Sequence, residues 1–431
     1  MDRFSPFEDP AALDEALLDV ATLIELSPRD RQVAENRFRI LKTHLERGAS
    51  VIAMYLVDGE SRIYAQGSVA TSTTIVDGTG DDRFDVDAIV EIDVPADKDE
   101  HWALDILEES LQAFPGVTEI VRCTRCVQLR FPFMHMDVTV MDRTRKLAIE
   151  RAGEIFHSPD EGSGNRVPSN PWGFTKWFRT KVGIGQTEFA ETLKRHRAFG
   201  SRNRLTLLAE DREILAKATQ HPLPPAIPSA LDAQEAVALK LLKRYLNVHY
   251  EKKPIKRPPS IYLTKRAGDV GFVDMGLTVQ LWRLANSTAQ IMRTHLVNGT
   301  RPAEVNPSYH PDVINDRWPR AGKDGVVDMM TFAESLEHLA DRLLHMASAE
   351  LSEVANIIDE LFGERIGRES RTLLVERYDR RETNAPVLSA VRSGAIASPA
   401  IVHATAKAQE VPRHNFHASE IHGSANGDWK K

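Results

Sequence analysis

The chain has 431 residues, 42% hydrophobic and 27% charged, which is too much apolar material for a disordered or fibrous protein and enough for about two to three domains. Lys plus Arg number 55 and Asp plus Glu 62, a net charge of −7, so no global excess of positive charge marks it for coating nucleic acid or a membrane surface. Two cysteines, Cys123 and Cys126, exclude a disulfide-stapled scaffold. The sequence has no apolar run long enough to span a bilayer, and its start, MDRFSPFEDP, lacks a signal-peptide core, so a cytoplasmic protein with no membrane attachment is expected.

In chain order, apolar spacing predicts helices over 10–26 and 28–47, with Ser27 and Pro28 opening the second. Strands are expected at 61–66, 84–93, 117–131 and 134–142, interrupted by a helix over 99–113. After the polar stretch 157–171 the pattern is helical almost throughout to about residue 375, which makes Gly162–Asn170 the expected linker. The reading is an α+β protein of two lobes: residues 1–165 with the N-terminal helices and the sheet, 166–375 helical, and 376–431 a weakly packed tail.

The chemistry concentrates in the strands. The run RFDVDAIVEID puts Asp85 and Asp87 two residues apart, so a strand of period two carries both carboxylates on one face while Val86 and Ala88 point into the core. Adjacent carboxylates repel, and a divalent cation with a preference for hard oxygen ligands resolves the conflict. A second strand, FMHMDVTV, offers Asp137, with His135 and Thr139 on the same side. Upstream, Gly67-Ser68 follows a strand and can present backbone N–H groups and a hydroxyl to phosphate oxygens. Singly these pieces are common: Asp-x-Asp occurs in solvated turns and in glycosyltransferases, and Gly-Ser in ordinary turns. Together they make the carboxylate triad with which two metal ions align an attacking hydroxyl on a nucleotide α-phosphate.

At these residues the sequence resembles the DNA polymerase β-like nucleotidyltransferases, and more narrowly the cGAS/DncV-like nucleotidyltransferases (CD-NTases) of bacterial anti-phage CBASS systems. The narrower resemblance rests on SNPWGFTKWF (169–178), ALKLLKRYLNVHY (238–250), KRPPSIYLTK (256–265) and VNPSYHPDVINDRWP (305–319). It implies a bilobal enzyme that makes a cyclic di- or trinucleotide second messenger with release of pyrophosphate; a purine cyclic dinucleotide from ATP or GTP is expected, from the larger stacking area of purines. It further implies two Mg²⁺ ions (or Mn²⁺) on Asp85, Asp87 and Asp137, donor triphosphate on Gly67, Ser68, Lys243 and Ser260, an effector protein activated by the product, and a regulatory CBASS partner. One departure is the 16-residue spacing from Ser68 to Asp85, which holds an acidic insertion at Asp77–Asp82. A linear oligoadenylate or RNA-tailing enzyme and a catalytically inactive nucleotide- or RNA-binding module are the alternatives.

Between Lys240 and Arg266 nine basic residues face one acidic residue, Glu251. Such a stretch is either a solvated loop or a phosphate-facing surface. Lys240, Lys243, Arg244 and Asn247 fall at i, i+3, i+4 and i+7, so a shared polar helix face beside the triphosphate is expected. Val237, Leu241, Leu242, Tyr245 and Val248 would pack, and Asp232 with Glu235 would cap the start. Cys123-x-x-Cys126 in a continuous strand would place its thiols on opposite faces, with no second pair to complete a zinc site. Trp172 and Trp177 are read as packing residues, and His403, His414, His417 and His422 are too dispersed for a metal site.

Overall fold

In the computed structural model the described residues are 6–7, 10–58, 62–76, 84–132, 134–143, 147–184, 186–207, 231–251, 253 and 255–384. Seven strands form one sheet: β1 (Ile63–Gln66), β2 (Phe84–Ile92), β3 (Glu119–Arg122), β4 (Val127–Arg130), β5 (Met134–Asp142), β6 (Gly153–His157) and β7 (Asn165–Ser169). The order is β1-β2-β5-β4-β3, with β6 also on β5 and β7 on β6. Only β2 and β5 run parallel, with Asp85 opposite His135 and Asp87 opposite Asp137. A parallel pair needs a crossover, here the helix α4 (Glu100–Leu111) and the β3–β4 hairpin.

Alternation along the two long strands separates core from site. Val86, Ala88, Val90 and Ile92 of β2, with Met136, Val138 and Val140 of β5, are buried against Phe38, Leu41 and Leu45 of α2 (Pro28–Glu46) and Leu107 and Leu111 of α4. The intervening residues, Asp85 and Asp87 and then His135 and Asp137, therefore all face the other side. Ser27 caps α2 as expected, its hydroxyl accepting from the Asp30 N–H at 3.1 Å.

A second core is helical. It gathers α5 (Pro171–Lys181), α6 (Thr187–Leu207), α7 (Gln234–Tyr250), α8 (Ser260–Val270), α9 (Leu277–Val297), α10 (Gly322–Ser348), α11 (Leu351–Phe362) and α12 (Glu364–Asn384). The first helix, α1 (Ala11–Leu23), belongs to this core although its sequence neighbours go to the sheet, because Leu13, Leu17, Val20 and Ala21 find their apolar partners there. A four-residue α3 (Gly67–Ala70) follows β1 directly, and a small hairpin of β8 (Val305–Asn306) and β9 (Tyr309–Val313) interrupts the expected all-helical run.

Three expectations are corrected here. The strand 117–131 is two strands, because the turn at Thr124–Arg125 folds it back on itself. The linker Gly162–Asn170 contains β7, whose polar side chains hid a strand paired along its length with β6. Asp232 does not cap α7; the cap position is Ala233, and the Asp232 carboxylate is taken by Arg197 at 2.8 Å. The acidic insertion at 77–83 and the tail beyond residue 384, with its four histidines, lie outside the described residues.

Candidate active site

A cleft of about 1040 Å³ opens between the carboxylate face of the sheet and the helical core. Asp85, Asp87, His135 and Asp137 line it from the sheet, Gly67, Ser68, Thr71 and Thr74 from the α3 loop, and Phe174, Thr175, Lys243, Asn247 and Ser260 from the helices. Asp85, Asp87, Asp137, Gly67, Ser68, Lys243 and Ser260 are thus brought to one cavity, whereas Lys240 and Arg244 are not.

Each side chain is placed by an identifiable local cause. Gly67 has φ +61°, the left-handed region, and a Cβ built there would stand 2.1 Å from Asp87 Oδ2. Glycine alone lets the loop lie directly against the central carboxylate. Asp137 is oriented by Gln128 Nε2, which donates to its Oδ1 at 2.9 Å, and Gln128 is itself held through Oε1 by Arg130 Nε at 2.8 Å. Asp85 turns outward, its side chain 71% exposed, with His135 Nδ1 3.6 Å from its Oδ1. Further along the same face Tyr64, Ile89, Met141 and Trp172 form a small separate apolar cluster.

The electrostatics are those of clustered like charge. Burial, then Asp137, then Asp85 push the Asp87 carboxyl up to about 7, and Lys243 only partly offsets them. Burial brings the Lys243 ammonium down to about 8, with Lys240 acting in the same direction and Asp87 and Asp85 against it. Three carboxylates carried by adjacent strand positions, one with its charge disfavoured, form a donor set that suits a hard divalent cation. Among the described residues no three acid, His or Cys side chains already close into a ligand shell, consistent with Asp85 being turned outward.

The basic helix face is corrected most. Fourteen residues of α7 are buried, so the helix is enclosed all round and has no solvated stripe. Lys240 is bound to Glu25 at 2.7 Å and Arg244 Nε donates to the Phe362 carbonyl at 2.9 Å, so neither faces phosphate. Lys243 does reach the cleft, where Nζ donates to the Thr73 carbonyl and hydroxyl at 3.2 and 3.3 Å. Asn247 also lines the cleft and accepts from Arg257 at 2.7 Å. Ser260 is the exposed first residue of α8, with Pro258 and Pro259 setting the chain direction before it.

Thr71 and Thr74 both work within the loop: Thr71 Oγ1 donates to the Gly67 carbonyl at 3.0 Å and Thr74 Oγ1 to Ser68 Oγ at 3.1 Å. Sequence reasoning missed Arg179, which holds the loop from α5 by donating to the Ala70 carbonyl at 3.3 Å and to Ser72 Oγ at 3.0 Å. It also missed Gln128, whose only signal was its even spacing from Cys126 and Arg130 on one strand face. The two cysteines are not on opposite faces; they oppose each other across the hairpin turn, Cys123 N–H donating to the Cys126 carbonyl at 2.8 Å. Trp172 and Trp177 pack as expected, against Tyr64 and Phe174.

A mixed sheet with paired acids on β2, a third on β5 and a glycine-led loop after β1 is the architecture of a nucleotidyltransferase. Over 411 residues, 93% of this chain and 92% of the other, the sequence is 29% identical to the cyclic dinucleotide synthase CdnG of Bradyrhizobium diazoefficiens. The solved structure of the B. diazoefficiens CD-NTase CdnG in complex with GTP matches with a TM-score of 0.68 at 27% identity, covering 85% of this chain and 99% of that one. No family model matches the chain. On fold and sequence likeness together the chain is a nucleotidyltransferase similar to the cGAS/DncV-like (CD-NTase) group.

Proposed function

We propose that the protein joins two nucleoside triphosphates into a cyclic dinucleotide, releasing pyrophosphate at each of two steps. The observation that carries this reading is the convergence of Asp85, Asp87 and Asp137 with the Gly67 loop and Lys243 in one cleft. The full-length likeness to a cyclic dinucleotide synthase supports the cyclic product.

In this reading the donor triphosphate lies along the α3 loop. Its oxygens accept from backbone N–H groups of Gly67 and Ser68 and from the Ser68 hydroxyl, while Lys243 and Ser260 hold the distal phosphates. Asp85, Asp87 and Asp137 would hold Mg²⁺ or Mn²⁺, which supplies Lewis-acid stabilisation of the charge developing on the α-phosphate. A ribose hydroxyl of the acceptor gives its proton toward the Asp137 carboxylate, which Gln128 keeps in place. The hydroxyl oxygen bonds to the α-phosphorus, the bond from that phosphorus to the β-bridging oxygen breaks, and pyrophosphate departs. A second round with the roles exchanged closes the ring.

Purines are the favoured bases, because their larger rings give more stacking area in a cleft partly lined by Phe174, Pro258 and Pro259. Among the described residues no helix is long and apolar enough to cross a membrane. A cytoplasmic role in anti-phage signalling, with the product activating an effector protein, completes the proposal. The test is purified protein with the four labelled nucleoside triphosphates and Mg²⁺ or Mn²⁺, followed by phosphatase and mass spectrometry, with and without RNA. A phosphatase-resistant dinucleotide formed without RNA is expected. A ladder of linear oligomers, or incorporation that requires RNA, would overturn the cyclic reading.

A further inference from the structure

The loop that carries Gly67 and Ser68 rejoins the body of the protein on the link between α1 and α2. Glu25 and Ile75 form an antiparallel bridge there, and the Val76 N–H donates to the Ile24 carbonyl at 3.0 Å. The Glu25 carboxylate is gripped by three donors: Lys240 Nζ at 2.7 Å, and Arg197 Nε and Nη2 at 2.7 and 2.8 Å. Lys240 lies one helical turn before Lys243, and Lys243 donates to Thr73. Backbone and side chains thus close a ring from Glu25 through Lys240, α7, Lys243 and Thr73 to Ile75 and back to Glu25. Neither Glu25 nor Lys240 lines the cleft.

We propose that Glu25 is a positioning residue for the donor triphosphate: it neutralises Lys240, so that Lys243 is the α7 cation that faces the cleft, and its backbone anchors the phosphate loop. The side chains of Lys240 and Glu25 are only 6% and 8% exposed, so neither charge is relieved by water. Burial pushes the Glu25 carboxyl up, but Lys240 and Arg197 outweigh it and hold the group at about 2, which keeps it ionised at any working pH. Without that carboxylate, Lys240 is a buried cation one turn from Lys243. The two ammonium groups then repel across a poorly solvated gap, and Lys243 is driven from the position Thr73 defines.

The proposal rests on the nucleotidyltransferase reading with Lys243 as a triphosphate contact. Its test uses the full chain and three variants: Glu25→Gln, Glu25→Asp, and the charge-balanced Glu25→Gln/Lys240→Met. Binding of a nonhydrolysable nucleoside triphosphate is measured by calorimetry, with KM and kcat alongside, below the melting temperature of every variant. Glu25→Gln is expected to weaken binding and raise KM about tenfold while kcat changes less than about twofold. Glu25→Asp, which keeps the charge, and the double variant, which removes the stranded one, are expected to stay within about threefold of wild type. A fold weakened as a whole removes active molecules instead, lowering kcat with KM unchanged, and that pattern overturns the proposal. If Glu25→Gln does not fold, the double variant decides: binding about tenfold weaker than wild type overturns it as well. A wild-type protein that binds no analogue at all would instead refute the functional reading beneath it.

Discussion

In the proposed reading the chemistry turns on Gly67 and the three acids, and substitutions at Gly67, Asp85 and Asp87 test it. Replacing Gly67 with Ala would force a side chain into the left-handed region and place its Cβ 2.1 Å from Asp87 Oδ2. The backbone strain costs about 1 kcal/mol, and Asp87 must move to make room. The expected outcome is a folded protein, a few degrees less stable by thermal melt, with kcat reduced at least about a hundredfold. Asp85→Asn with Asp87→Asn is expected to abolish turnover, because neutral amides are poor ligands for a hard cation, without lowering the melting temperature of the metal-free protein, because like-charge repulsion is relieved. Wild-type turnover in that double variant would mean the metal site is wrongly assigned. Lys243→Ala is expected to weaken triphosphate binding by about 1–3 kcal/mol, read by calorimetry. The shared face of the acids was legible before the structure because strand period two fixes which side chains lie together. Gln128 was not: its part depends on β4 lying beside β5 in one register, with Gln128 opposite Asp137.

Among the elements, α7 shows how a charged helix can be misread. Its apolar stripe is real, with Val237, Leu241, Leu242 and Tyr245 all buried, yet the opposite face is buried too. Each charge there has a partner from elsewhere: Glu25 for Lys240, a carbonyl at the end of α11 for Arg244. The meeting of Glu25, Arg197 and Lys240 ties the α1–α2 link to α6 and α7, and it makes stability depend on acid. The Glu25 carboxyl titrates near 2 in the folded protein against an ordinary 4.5, so the stabilisation is complete above about pH 4.5 and is lost as pH falls from there toward 2. The shift corresponds to roughly 3 kcal/mol. Melting temperature followed from pH 6 to pH 3 should therefore fall more steeply for wild type than for Glu25→Gln. Parallel curves would show that Glu25 does not carry this ionisation.

For the whole molecule, the cleft joins two separate cores, one around the sheet and one around the helices, and its contents should bind them together. A ligand that binds only the folded state raises stability by RT ln(1 + [L]/Kd), about 2.7 kcal/mol at a hundred times Kd. Nucleoside triphosphate with Mg²⁺ should raise the melting temperature together, and chelation with EDTA should remove both that gain and the turnover. A gain that survives EDTA would separate nucleotide binding from the carboxylates.

The order of residues alone determined the carboxylate face, the glycine before it, the ends of α2 and the split into a strand-rich and a helix-rich half, because each depends on a local period or on neighbours a few positions apart. Only the tertiary structure decided which basic residue of α7 meets the cleft. A helix presents a side chain every 100° or so, and once buried on all sides each charge must find a partner brought in by the fold. For Lys240 that partner is 215 residues away in the chain. The same reason hid β7: a polar strand has no apolar alternation to reveal it, and it became one only when β6 offered an edge.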